Sequence, residues 1–375
     1  MGCCEVSKNQ KTFLHNTENL KVNDSSEENY SIKNVNNNGE DYLNYQKQSE
    51  TQKINQFSSN ISEINKGNVS ISQQQSTESE YSLKKENCQF VCIKSIDNAH
   101  SDKIVSLIEL MSGNIATGSY DHNIKIWKIN EEKCEKIIHE NYEILCLLEF
   151  EPNKLLVGTK KEEINLWDIE DSNDKSIYSF KGHTMWVNCL VKINDDFFAS
   201  GSNDSNIIIW NWKNKKNDFI LKGHENGVIS LILLLNNNLC SGSLDLLIKI
   251  WDLKTKTCIE SINGHTHWVL SLCQLSNGDI LSGDGETLKI FGPNYKLKNE
   301  IKAHSNNIKS LCQISSELFI STSYDKTIKI WDINTMSLVQ NLEGHLNTVN
   351  CAIKSIYGYL VSCSTDKTIK IWETT

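Results

Sequence analysis

Two patterns of apolar and polar positions divide the chain. From about residue 86 to the end, short apolar stretches alternate with turns of Gly, Ser, Asn and Asp, and Pro is nearly absent. Within the stretches apolar and polar residues alternate, as in Ile124-Lys125-Ile126-Trp127 and Ile328-Lys329-Ile330-Trp331. A period of two predicts strands. Residues 1–85 show neither that period nor a helical one; they are rich in Asn, Ser, Gln, Glu and Lys, with runs at 36–38 and 73–75. Such a segment buries too little surface to offset its conformational entropy, which predicts a disordered tail. Around residues 42–54 a short helix could form on a partner.

The strand pattern is also a repeat. Trp127, Trp167, Trp210, Trp251, Phe291, Trp331 and Trp372 recur every 40 to 43 residues. Roughly 27 residues before each stands a His: His100, His139, His183, His224, His265, His304 and His345. Four of these are Gly-His pairs, and Trp167-Asp168, Trp251-Asp252 and Trp331-Asp332 close their units. Units of this length, each with several short strands, are the mark of a propeller. With Gly-His near the start and Trp-Asp near the end, they resemble WD repeats of the G-protein β-subunit type over about residues 88–375. The resemblance implies an all-β chain: a seven-bladed β-propeller of WD repeats over residues 86–375, carried on a disordered N-terminal tail, residues 1–85.

The last unit stops just past Trp372, one strand short, while an orphan strand lies ahead of the first His within residues 88–96. The family closes its ring with such a strand, which removes the exposed sheet edges. The same expectation holds here.

Five units repeat a set of four residues: His100, Thr117, Asp121 and Trp127; His183, Ser200, Asp204 and Trp210; His224, Ser241, Asp245 and Trp251; His304, Ser321, Asp325 and Trp331; His345, Ser362, Asp366 and Trp372. Ser, His and Asp together suggest a hydrolase, but triads are recognised by geometry and roles, and five copies argue for structure. The family uses the set as an internal hydrogen-bonded chain. Unit two departs from it, with Val157 and Lys161 where the hydroxyl and carboxylate belong. Unit five has Phe291 for Trp and a shortened turn, Asp284-Gly285-Glu286, with no aligned Asp. These two blades are expected to be the softer ones.

By resemblance, partners bind the face around the channel mouth, through residues three and five positions after the His and just before the turn Asp. Carried over, these are Lys103 and Tyr120; Trp186, Asn188 and Asn203; Ile229 and Leu244; Trp268, Leu270 and Asp284; Asn307, Lys309 and Tyr324; and Thr348, Asn350 and Thr365. Trp186, Ile229, Leu244, Trp268 and Leu270 form an apolar cluster on consecutive blades, of the kind that anchors partners.

Charge narrows the partners. The formal net charge is −9, and all 38 basic residues are Lys. Without Arg the chain lacks the fork that grips phosphates, so nucleic acid is not expected as a partner. The longest apolar stretch, residues 228–235, falls short of the roughly 20 residues that cross a bilayer, and no secretory signal stands at the start. An intracellular protein with 13 cysteines mostly as thiols follows, with no metal site and no cofactor. Met1-Gly2-Cys3-Cys4 resembles the start of dually acylated proteins, with myristate on Gly2 and palmitate on Cys3 or Cys4, although Val6 stands where Ser or Thr is usual. The two chains would tether the protein peripherally to a membrane from the cytoplasm.

The reading that follows is a non-catalytic scaffold or adaptor that binds a protein or peptide near a membrane. A substrate receptor of a ubiquitin ligase is the alternative, weakened because one version of that role needs an Arg. A true G-protein β-subunit would show heptads in the tail, and none are visible.

Overall fold

A computed structural model describes residues 89–375, except 172 and 174. The expected tail, the helix near residues 42–54, and Gly2, Cys3 and Cys4 lie outside the described residues. Among the described residues there are seven four-stranded antiparallel sheets, each joined to the next in sequence order. Blade four is typical: Val228–Leu233, Leu239–Ser243, Ile248–Asp252 and Thr257–Ile262, ordered from first to fourth. The first strands of neighbouring blades pack against one another all round the ring, so they line the central channel.

Blade seven is assembled from both ends of the described chain. Phe90–Ile96 pairs antiparallel with Ile369–Thr374, from Phe90 opposite Thr374 to Ile96 opposite Ile369. The side chain of Gln340 in blade six clasps this strand, accepting from Phe90 N at 2.9 Å and donating to Phe90 O at 2.8 Å. The expected ring closure is present.

The core lies between blades rather than within them. Strands two and three are covered on both faces, so neighbouring residues point to different partners. In blade four, Leu239 and Trp251 pack with Ala199, Ile207 and Ile209 of blade three, while Cys240, Ile248 and Ile250 pack with Val269, Leu272 and Ile280 of blade five. This is why the second strands are buried along their whole length, Leu239–Ser243 and Leu360–Ser364 among them. Only the outer strands keep a wet face, as in Thr257–Ile262. Fully burying one such Ile or Leu side chain stabilises by about 1.5–3 kcal/mol. Trp212, outside the repeat pattern, adds an aromatic cluster at blades two and three. Its indole N–H donates to Glu151 Oε1 at 2.8 Å, and its ring sits 4.4 Å from Phe150 and 3.3 Å from the Lys215 ammonium.

Candidate functional site

The five repeated sets close as hydrogen-bonded chains. In blade four, Trp251 Nε1 donates to Ser241 Oγ at 2.8 Å, Ser241 meets His224 Nε2 at 2.7 Å, and His224 Nδ1 meets Asp245 at 2.7 Å. The same links join Trp127, Thr117, His100 and Asp121, and Trp210, Ser200, His183 and Asp204. They also join Trp331, Ser321, His304 and Asp325, and Trp372, Ser362, His345 and Asp366. Each Asp reaches further, to the backbone N–H after its His, as Asp245 does to Glu225 at 3.0 Å. Burial pushes these carboxyls up, but the His partner and the backbone donors outweigh it and hold Asp204 and Asp245 at about 2. Asp121, Asp325 and Asp366 are lowered further for the same reasons. All five hydroxyl residues are 0 % exposed. A serine that is sealed from solvent and already binds an indole offers no attack route to a substrate carbonyl, so the geometry is that of a scaffold.

Blade two corrects one sequence assignment. The residue in the imidazole's place is Glu140, not His139. Glu140 is buried, and its carboxylate accepts from Trp167 Nε1 at 2.9 Å and Asn165 Nδ2 at 3.0 Å. His139 is exposed and meets Asn123. The register carried a signal: Glu140 is 27 residues before Trp167, matching His100 to Trp127, whereas His139 is 28. Val157 fills the hydroxyl's place as expected and is fully buried.

Blade five brings a second correction. Asp284 was expected on the binding face, yet it is 2 % exposed. It takes over the backbone role of the missing Asp, accepting from Thr266 N at 3.1 Å and His267 N at 2.7 Å, with Lys289 Nζ 3.2 Å away. His265 still meets Ser282 at 2.9 Å, but its Nδ1 is buried without a partner. Burial pushes this imidazole down to about 4, against the opposing pull of Asp284.

The channel mouth is built by two repeated devices. In every blade the register of the first strand slips against the second, leaving an unpaired bulge residue. A bulge re-aims its side chain. The position five residues after the His, or after Glu140 in blade two, is unpaired in every blade: Val105, Leu145, Asn188, Ile229, Leu270 (there together with Ser271), Lys309 and Asn350. Secondly, the residue before the turn Asp donates its backbone N–H to the residue three after the His: Tyr120 to Lys103 at 3.1 Å, Asn203 to Trp186 at 2.9 Å, Tyr324 to Asn307 at 3.0 Å, Thr365 to Thr348 at 2.9 Å. The positions named from sequence are thereby brought side by side on one rim.

Their exposure varies. Trp186, Trp268 and Tyr324 are 42 %, 54 % and 41 % exposed, whereas the repeat tryptophans are 1–4 % exposed. Tyr120, Ile229, Leu244 and Leu270 are half-buried. Lys160 of blade two was not singled out in sequence, but its ammonium stands 4.1 Å from the Tyr120 ring and 5.1 Å from the Trp186 ring, and pairs with Glu143 at 3.1 Å. Asn188 and Asn350 were expected to face partners, but each amide is used internally, once within its own blade and once to the next. Asn188 donates to Asn203 at 2.7 Å and to Val228 O at 2.9 Å; Asn350 donates to Ile104 O at 2.7 Å and to Thr365 at 3.0 Å. Thr348 is likewise buried. The cysteines of the inner strands are held as thiols: burial pushes Cys146 and Cys312 up to about 12 and Cys273 to about 11.

Comparison with known proteins fits this architecture. The model of the WD domain, G-beta repeat, matches residues 90–128, 174–211, 215–252, 256–291, 295–332 and 336–373. The stretch between the first two matches holds the first three strands of blade two, where Glu140, Val157 and Lys161 depart from the pattern. Among curated proteins, the chain is 30% identical over 102 residues to an uncharacterized WD repeat-containing protein of Schizosaccharomyces pombe, covering 26% of this chain and 27% of that one. It is 33% identical over 99 residues to the ribosome biogenesis protein YTM1 of Scheffersomyces stipitis, covering 25% and 21%. It is 32% identical over 131 residues to the nuclear distribution protein PAC1 of Komagataella phaffii, covering 30% and 26%. The matched part thus spans about a quarter of each relative's length. With six repeats matched over more than half of its length and all seven blades formed, the chain belongs to the WD-repeat family.

Proposed function

We propose that this protein is a non-catalytic interaction scaffold that holds a peptide or protein segment on the face at the channel mouth. The observation that carries the reading is the exposure of Trp186 and Trp268 beside half-buried Ile229, Leu244 and Leu270 on three consecutive blades. Large aromatics half in water on a rigid rim are the usual anchors of an interface, each contributing about 2 kcal/mol or more when a partner buries it. In the finer form of the proposal, acyl chains on Gly2 and on Cys3 or Cys4 hold the scaffold on the cytoplasmic side of a membrane. The support for that is the first four residues and the need for two lipid signals.

Affinity capture from cells, with wild type beside Trp186→Ala and Trp268→Ala, tests the face. Each substitution should weaken capture of the main partner tenfold or more and leave the melting temperature within a degree or so. If both lower the melt and spare capture, the rings are packing and the face reading fails. Gly2→Ala should move the protein from membrane to soluble fractions, and an unchanged distribution would remove the tether.

A further inference from the structure

The ring of bulge residues contains one charge. Six of the seven are apolar or amide, and Lys309 alone is ionisable. It is half-buried, and its ammonium makes no hydrogen bond or ion pair with any described residue. Burial, and then the Lys103 ammonium, push the Lys309 amine down. Lys103 is also without a carboxylate partner among the described residues; its ammonium rests 3.8 Å from the centre of the Tyr120 ring. Lys160 lies on that same ring, 4.1 Å away, but is answered by Glu143. Blade seven separates Lys309 from Lys103 and offers the mouth Thr348, Asn350 and Thr365, none of them acidic.

Two cations on this partly buried mouth, neither answered by a carboxylate among the described residues, are unfavourable by themselves, since a buried charge needs a partner. An arriving anion would relieve that cost. We propose that Lys309 and Lys103 form an anion subsite, which takes a carboxylate or phosphate side chain of a peptide lying across the apolar arc of Trp186, Ile229, Leu244, Leu270 and Trp268. This rests on the reading of the face as a peptide-binding surface, and adds that the partner is apolar at one end and acidic at the other. Lysines act as point charges rather than forks, so the subsite selects charge before geometry.

The test is selection of random twelve-residue peptides displayed on phage, using the full chain. Peptides held by the wild type should be enriched in Asp and Glu over the input, and the enrichment should vanish in the Lys103→Met/Lys309→Met double variant. For a selected peptide, Glu→Ala should weaken wild-type binding tenfold or more and double-variant binding less than twofold. Wild-type binding should also weaken steeply as salt is raised, a readout that needs no variant. Phosphoserine in place of Glu identifies the source: tighter binding assigns the subsite to phosphate, equal or weaker binding to carboxylate. Peptides without acidic enrichment, or equal enrichment in the double variant, overturn the anion subsite and leave the peptide face standing. Recovery of no peptide by a protein that melts cooperatively overturns both.

Discussion

Blade four and blade two have the same four strands and the same buried indole at the same place, but they answer it differently. Blade four uses a serine backed by an imidazole and a carboxylate. Blade two replaces all three with the single carboxylate of Glu140, which reaches Trp167 directly, and seals the hydroxyl's place with Val157. Blade five is a third solution, in which no indole remains to be answered and the chain of bonds ends at His265. The fold requires that a buried N–H find an acceptor, and it does not require a particular acceptor. His, Ser and Asp are one solution among three in a single ring.

Glu140→Ala should break the comparison hardest. It strands the Trp167 N–H and the Asn165 amide in a dry interior, with no serine to take over, and hydrogen bonds to a buried charge are worth about 1.5–3 kcal/mol each. A loss of about 3 kcal/mol in denaturant melts is expected. His224→Ala in blade four should cost less, about 2 kcal/mol, because Ser241 still accepts from Trp251. Equal losses would mean that blade two has no special dependence on its carboxylate.

Acid separates the blades in another way. His265 has a folded value of about 4, below the unfolded value of about 6.5. The unfolded chain therefore binds the extra proton, and stability falls as pH drops from about 6.5 towards 4. Asp204 and Asp245, held at about 2, contribute stability that is complete above about pH 4 and is lost between there and 2. His265→Asn should flatten the upper limb by about 1 kcal/mol per pH unit and leave the lower limb unchanged. If the upper limb persists in this variant, another imidazole governs it.

The smallest effect sharpens the comparison at the turns. The residue after each turn Asp is left-handed: His122, Ser205, Leu246, Lys326 and Lys367 have φ between 67° and 75°, and blade five places Gly285 there at 58°. Leu is poorly suited to this region, and Asn tolerates it. Leu246→Asn should raise stability by about 0.5 kcal/mol. A lower melt would show that the half-buried Leu246 side chain contributes more than its backbone costs.

The ring was legible because Trp127 through Trp372 keep step with one another and each stands at the end of an alternating strand. The five complete sets were legible for the same reason. Glu140 was hidden because a His stands beside it, and matching by residue type found His139 before matching by interval could find Glu140. Asp284 was misjudged because, in a turn one residue shorter, it stands 19 rather than 21 residues after its His, yet its carboxylate still reaches the backbone N–H after that His. Asn188 and Asn350 share a rim with Trp186 and Trp268, and no sequence pattern tells which of them a neighbouring blade will claim.

The clasp of Phe90–Ile96 on Ile369–Thr374 also sets an order of events at the ribosome. The outer strand of the last blade is among the first parts of the propeller to be synthesised, and its partner is the last. Roughly 280 residues separate them, so at about 5–20 residues per second the early strand waits on the order of 15–55 s before its hydrogen-bonding edge can be covered. Six blades can be complete while the ring is still an open arc with a sticky edge at each end. The newborn propeller is thus most exposed to mispairing just before the strand Ile369–Thr374 is made.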